Sequence, residues 1–430
     1  MPDRIYQRTT LPNGVRLLTV RMAHVRSVTI DCYVGVGSRY ESLEQAGIAH
    51  FLEHMIFKGS AAYPTAQSLS EAIEGVGGVL DAATDKEVTV FTTKIASSLF
   101  EHGLHVLADM VRRPRLDPDE LDKERRVIID ELAMYRDSPF DWVHVLADET
   151  LFPGLPLGRE VAGTRESVQG ISREAMAAFH AAHYAPSNLV ISVAGDITHE
   201  HVHEAVVRCF GDWQSAVTPS FVPSLPPAEA PRVTFERRKT EQATFVLLMP
   251  GLRHDDPRYY TMVLLNAILG DGMSSRLFLV VREELGLAYD VGSGASNYHD
   301  TGTFLVSAGV DPAQTGPALG AILQQLARLR DEPVPADELQ RAKEYAKGRR
   351  ALRLEDTASV AAWFGGQEIL VREVLELDEV LEKLDAVTAA DIQQLARDLF
   401  REEWLRLALI GPAKGDAKDA AHLEALLKMP

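Results

Sequence analysis

The chain has 430 residues, 46% hydrophobic and 25% charged, which suits a soluble globular protein of two or three domains. A formal net charge of −18 argues against nucleic acid and membrane as partners and favours cationic peptides in a cleft. Two cysteines, Cys32 and Cys209, exclude a disulfide framework and point to a reducing compartment. No run reaches the roughly 18–20 apolar residues of a bilayer span, and Met1–Gln7 holds no secretory apolar segment, so a cytoplasmic protein is expected.

In chain order, Asn13-Gly14 marks a turn before a strand over 15–20, and a second strand covers 28–34. Residues 48–55 read as a helix, because no Gly or Pro interrupts them and Ile48, Leu52 and Met55 recur on one apolar face. A helix over 66–76, strands over 79–83 and 88–95, and a helix over 97–111 follow. Residues 121–135 form another helix, and 152–163 a Pro- and Gly-rich loop. Ser172 caps a further helix that leads into a strand over 189–194. Pro219–Pro231 holds five prolines and reads as a linker.

Beyond the linker the pattern returns. Thr388, a helix and a strand ending in Gly411 repeat Ser172, its helix and the strand ending in Gly195, both 216 residues later. The prediction is an α+β fold of two homologous domains, each a mostly antiparallel β-sheet with helices packed on one face. The boundaries are 1–215 for the first domain, 216–231 for the linker and 232–430 for the second. At the same offset His50, Glu53 and His54 fall near Asn266, Leu269 and Gly270, so only the first domain carries the His/Glu motif.

That motif is His50-Phe51-Leu52-Glu53-His54. Two imidazoles at i and i+4 leave one side of a helix a turn apart and can share a zinc ion, with Glu53 beside them as a general base. The order His-x-x-Glu-His is the inverted form of the commoner zinc-peptidase signature. A surface helix carrying two histidines by chance is the bland alternative, and a third ligand decides against it. On the 121–135 helix, Glu124, Ile128, Glu131 and Tyr135 share one stripe, and carboxylates beside apolar neighbours need a partner or a metal. Glu131 is the candidate third ligand and Glu124 its support. Asp130 is the rival, pointing about 100° away around the helix. His180 with His183, and His201 with His203, read as surface or capping histidines. No G-x-S-x-G, G-x-x-x-x-G-K-[ST] or G-x-G-x-x-G pattern occurs.

These residues resemble the pitrilysin/insulinase family of zinc peptidases, in the branch of the mitochondrial processing peptidase and its short bacterial relatives. Further matches are Gly35-Val36-Gly37-Ser38-Arg39-Tyr40-Glu41, Phe57-Lys58-Gly59-Ser60, Gly77–Thr84, Asp137-Ser138-Pro139, Pro156–Arg159, Tyr184–Asn188, Ser274–Phe278 and Arg282–Tyr289. The resemblance implies one Zn²⁺ per chain on His50, His54 and Glu131, Glu53 as base and Glu124 behind a ligand. It implies a substrate-binding edge strand with Leu80, Asp81, Ala82, Ala83 and Thr84. It also makes Arg282 and Tyr289 a pair that holds substrate. Asp81 stands where the family often has Asn.

The function expected is a zinc metalloendopeptidase that hydrolyses peptides or unfolded segments inside an enclosed chamber. Since the family's Arg/Tyr pair comes from the half of the chamber opposite the metal, a homodimer is expected, with a heterodimer as the alternative. A non-catalytic partner subunit of a processing-peptidase-like assembly, and a metal-dependent hydrolase of other substrates, are the competing readings.

Overall fold

The computed structural model describes residues 4–217, 219–224, 231–412 and 420–430. The expected linker over 216–231 therefore lies partly outside the described residues, at 218 and 225–230. The first half of the chain runs β1 (Tyr6–Thr10), β2 (Arg16–Arg21), β3 (Ser27–Val34), α1 (Ile48–Ile56), α2 (Ala66–Glu74), β4 (Val79–Thr84), β5 (Thr89–Ala96), α3 (Phe100–Arg112), α4 (Pro118–Asp137), α5 (Pro139–Leu151), α6 (Arg165–Gly170), α7 (Arg173–His183), β6 (Leu189–Gly195) and α8 (His199–Phe210). The second runs β7 (Val233–Arg237), β8 (Ala243–Pro250), α9 (Tyr259–Leu269), β9 (Ala288–Asn297), β10 (Gly302–Val310), α10 (Thr315–Asp331), α11 (Ala336–Arg353), α12 (Thr357–Leu370), α13 (Leu377–Ala386), α14 (Ala389–Leu399), β11 (Arg406–Gly411) and α15 (Ala420–Leu426).

Two mixed sheets result, in the orders β1-β2-β6-β3-β5-β4 and β7-β11-β8-β10-β9. Each has one parallel pair, β2 with β6 and β7 with β11, and is otherwise antiparallel. The two orders superimpose strand for strand once β1 is set aside, and β3 and β8 start 216 residues apart, at Ser27 and Ala243. The repeat announced by the two capped helices is thus carried by the whole sheet. Ser172 Oγ accepts from the Ala175 amide at 3.2 Å, and Thr388 Oγ1 accepts from the Asp391 amide at the same distance.

Two compact units form, and they do not follow the halves 1–215 and 232–430. One comprises Met1–Ala133, Glu160–Val222 and Ala351–Glu376; the other comprises Met134–Arg159, Pro223–Arg350 and Leu377–Pro430. Each unit has taken a helix from the other half of the chain. In the first unit, Val28, Ile30, Cys32 and Val34 pack with α1, α3, α7 and α8. On the opposite face, Leu18, Tyr33, Val190 and Ala194 pack against Val360, Ala361 and Phe364 of α12. A strand's side chains alternate between faces, so β3 needs cover on both, and its unbroken burial from Val28 to Val34 reflects that. In the second unit α5 does the same: Val143, Leu146 and Ala147 pack on Val246, Leu248, Ala408 and Ile410.

β4 ends the first sheet. Among the described residues it pairs only with β5, and its residues alternate between exposed and half-buried, with Leu80 and Ala82 resting on the core. Its other edge presents a row of main-chain groups that meets no further strand among the described residues.

Candidate metal centre

α1 buries Ile48, Ala49, Phe51, Leu52, Met55 and Ile56, and leaves His50, Glu53 and His54 as its one half-open stripe. Burying each large apolar side chain contributes roughly 1.5–3 kcal/mol, so the rotation of the helix, and the aim of its histidines, is set by that face. The helix starts at Gly47, whose φ of 92° suits glycine and whose position a Cβ would bring 2.4 Å from the Ala162 carbonyl oxygen. Glycine has no side chain to cap with. Buried Glu41 does it instead, accepting from the Gly47 and Ala49 amides at 2.7 and 2.8 Å.

α4 brings the carboxylates. Glu124 and Ile128 are buried, Glu131 is half-buried and Tyr135 is exposed, so the stripe read from the sequence sinks at one end and opens at the other. Asp130, the rival ligand, is exposed. His50 Nε2 lies 3.9 Å from Glu131 Oε1, and His54 Nε2 lies 3.7 Å from Glu131 Oε2. The three residues offer ligand atoms that all fall within 4.8 Å of one another. Two imidazole nitrogens and a carboxylate oxygen are the donor types that zinc takes, at bonds of about 2.0–2.2 Å.

The far side of His54 is organised as well. Its Nδ1 pairs with Glu124 Oε1 at 2.9 Å, and the other Glu124 oxygen takes an ion pair from Lys58 Nζ at 2.5 Å. Nδ1 therefore carries the proton and Nε2 is left as the lone-pair donor toward Glu131. Burial alone would lower the His54 pKa. The hydrogen bond and charge of Glu124, with Glu131 and Glu53, outweigh it and move the net shift upward, the mark of a pocket rich in negative charge and suited to a cation. His50 goes the other way: burial, reinforced by His54, pushes it down to about 4, so it is neutral and able to ligate. Burial opposes ionisation of Glu124, yet its bonds to His54 and Lys58 hold it below the ordinary carboxylate value.

Glu53 is raised by burial, against the pull of a hydrogen bond from Thr84 and of His54. Thr84 Oγ1 donates to Glu53 Oε2 at 2.6 Å, which brings the edge strand to the helix. Asp81 lies on the exposed face of β4, where its Oδ1 accepts from the Ala82 amide at 2.9 Å. Arg282 and Tyr289 belong to the other unit and meet there: the guanidinium stands 5.8 Å from the Tyr289 ring centre and 4.6 Å from that of Phe278. Arg282 is carried by a π-helical turn, Phe278–Glu284, and Tyr289 at the start of β9 is 77% exposed. His183, read as a surface or capping residue, is instead buried between the rings of Tyr40 and Phe179. In the sequence Lys58 and Glu41 stand only within short stretches that match the family, and no spacing marks them as the partner of Glu124 and the cap of α1.

Residues 16–165 match the family described as insulinase (peptidase family M16), and residues 170–345 match the one described as peptidase M16 inactive domain. An uncharacterized zinc protease of Streptomyces coelicolor is 36% identical over 97% of this chain and 92% of its own. The uncharacterized zinc protease YmxG of Bacillus subtilis is 36% identical over 95% of this chain and 98% of its own. Among solved structures, a protease from Helicobacter pylori shares the fold with a TM-score of 0.88 at 22% identity, covering 95% of this chain and 99% of the other. A chain of complex III2 from Candida albicans does so at 0.84 and 20% identity, over 98% and 99%. With more than a third of its residues identical to those relatives over nearly its whole length, this chain belongs to the insulinase family of peptidases, M16.

Proposed function

We propose that this chain is a zinc-dependent endopeptidase that cuts peptides and unfolded segments inside an enclosed chamber. The observation that carries the reading is the convergence of His50 Nε2, His54 Nε2 and the Glu131 carboxylate, with Glu53 beside them on the same stripe of α1. Those three residues would hold one Zn²⁺ per chain. When bound, the ion would supply the Lewis acidity that lowers the pKa of water far enough to make it a nucleophile near neutral pH.

The chain's own residues do the rest. Glu53 accepts the proton of the attacking water and passes it to the leaving amine nitrogen as the peptide C–N bond breaks. Its upward-shifted pKa brings it closer to the working pH, which suits a group that must both take and give a proton. Glu124, held ionised by Lys58, keeps His54 in one tautomer and orientation. The free edge of β4, from Leu80 through Asp81, Ala82 and Ala83 to Thr84, takes an extended peptide as an added strand, reading main chain before side chain.

Arg282 and Tyr289 hold the substrate from the second half of a chamber built by two copies of the chain, each completing the other's site. The match of residues 170–345 to an inactive-domain family supports a supporting role for that half. The net charge of −18 favours basic peptides, and the two unpaired cysteines suit the cytoplasm. One experiment bears on all of this: peptide cleavage followed through metal removal and return, with the mass in solution measured alongside. The expected result is a dimer that loses activity to a chelator and regains it at one zinc per chain. Cleavage that survives zinc removal contradicts the metal reading, and full activity at monomeric mass contradicts the two-chain arrangement.

A further inference from the structure

Glu53 is anchored to the strand proposed to take substrate, through one residue. Thr84 Oγ1 has a single proton and two neighbours, Glu53 Oε2 at 2.6 Å and Thr89 Oγ1 at 3.4 Å. Thr89 donates its own proton to the Val36 carbonyl at 2.9 Å. The closer and charged acceptor for the Thr84 proton is Glu53, so the hydroxyl is committed to the carboxylate. Among the described residues Glu53 Oε1 makes no hydrogen bond, which leaves that oxygen open for a reacting water.

The aim of this hydroxyl is fixed from both ends. Thr84 pairs with Thr89 at the end of the β4–β5 hairpin, and Asp85 N–H donates to the Val88 carbonyl at 2.8 Å to close the turn. The tip is tied back to the segment before α1, with the Ser38 and Arg39 amides donating to the carbonyls of Asp85 and Lys86 at 3.2 and 2.8 Å. Glu41, three residues beyond Ser38, caps the first amides of α1. Helix, hairpin and connecting segment thus form a closed circuit, and the Thr84–Glu53 bond is its last link. Such a circuit fixes two groups relative to each other better than either element could alone.

We propose that Thr84 is the positioning residue of the base: from the edge strand it pins one oxygen of Glu53 and leaves the other for water, so that a peptide added to β4 is set in register with the base. This rests on the peptidase reading above. It makes the Thr84 side chain part of the helix–strand link, with only its main chain facing the peptide.

The test compares Thr84→Val, which keeps the shape and removes the hydroxyl, with Thr84→Ser, which keeps the hydroxyl. Each is assayed for kcat, KM and zinc content, and crystallised with zinc. The expected result for Thr84→Val is a loss of about 10–100-fold in kcat, with KM and zinc content little changed and the Glu53 carboxylate moved from its place. Thr84→Ser should retain kcat and the carboxylate position. If Thr84→Val does not fold, Thr84→Ala takes its place with the same expectation. An unchanged kcat, a rise in KM alone, or Thr84→Ser failing as badly as Thr84→Val would overturn the proposal. Should the wild type cut nothing, the crystals still decide: a displaced Glu53 in Thr84→Val upholds the positioning role while the peptidase reading falls, and an unmoved Glu53 ends the proposal.

Discussion

His54 shows how three charges of different sign are spent on one imidazole. Glu131 faces its Nε2, Glu124 takes its Nδ1, and Lys58 neutralises Glu124 from behind. If that chain serves to hold the ligand, Glu124→Ala should weaken zinc binding by about 10–100-fold, measured by competition with a chromogenic chelator. An unchanged affinity would mean that Glu124 has another task. The candidate ligands were legible as a group because a helix returns to the same side after four and after seven residues, a period that can be counted along the chain. Lys58, Thr84 and Glu41 were not legible as a set. They meet Glu124, Glu53 and the start of α1 only because separate elements are brought together by the fold, and no spacing encodes that. Asp81 was flagged from the sequence, but its bond to the next amide is a feature of the strand's local conformation.

α1 and α4 were readable as elements from their apolar stripes, and β4 as a strand from the glycine turn before it. The two helices that cover the second face of each sheet were not. α5 begins with Ser138 accepting from the Asp141 amide and with Pro139 at its first position, a start signal present in the sequence. What the sequence lacks is any mark of which sheet it will cover. α12 shows how tight that cover is. A Cβ on Gly365 would lie 2.3 Å from Cε2 of Tyr33 and 2.8 Å from Cβ of Ser192, whereas one on Gly366 would meet nothing within 4 Å. Gly365→Val should therefore destabilise the protein by at least ~1–3 kcal/mol in thermal or denaturant unfolding. Gly366→Ala should be neutral or stabilising by about 0.5–1 kcal/mol. Equal stabilities for the two variants would mean that α12 does not seat against β3 as described.

At the scale of the whole molecule, one scaffold is used twice, and the His/Glu motif lies in one copy. The 216-residue offset made the duplication readable, because helix caps and strand ends are local signals that survive divergence. The exchange of α5 and α12 was hidden, since a repeat in sequence says nothing about which copy packs on which. The second sheet keeps the strand order of the first, while Asn266 and Leu269 occupy the helix that answers α1, and Asn266 bonds Ser293 on β9 rather than facing a ligand set. A scaffold retained without the His/Glu motif is what the proposed supporting half requires. The central claim is that Glu53, beside three converging ligand groups, makes this chain a peptidase. It is tested most directly by mass-spectrometric detection of cleavage in a mixture of basic and neutral peptides, comparing wild type with Glu53→Gln at equal zinc content. The account predicts that wild type cuts and that Glu53→Gln, folded and metal-loaded, is slower by about 10²–10⁴-fold. Cleavage at wild-type rate by Glu53→Gln, or none by either zinc-loaded protein, would contradict it.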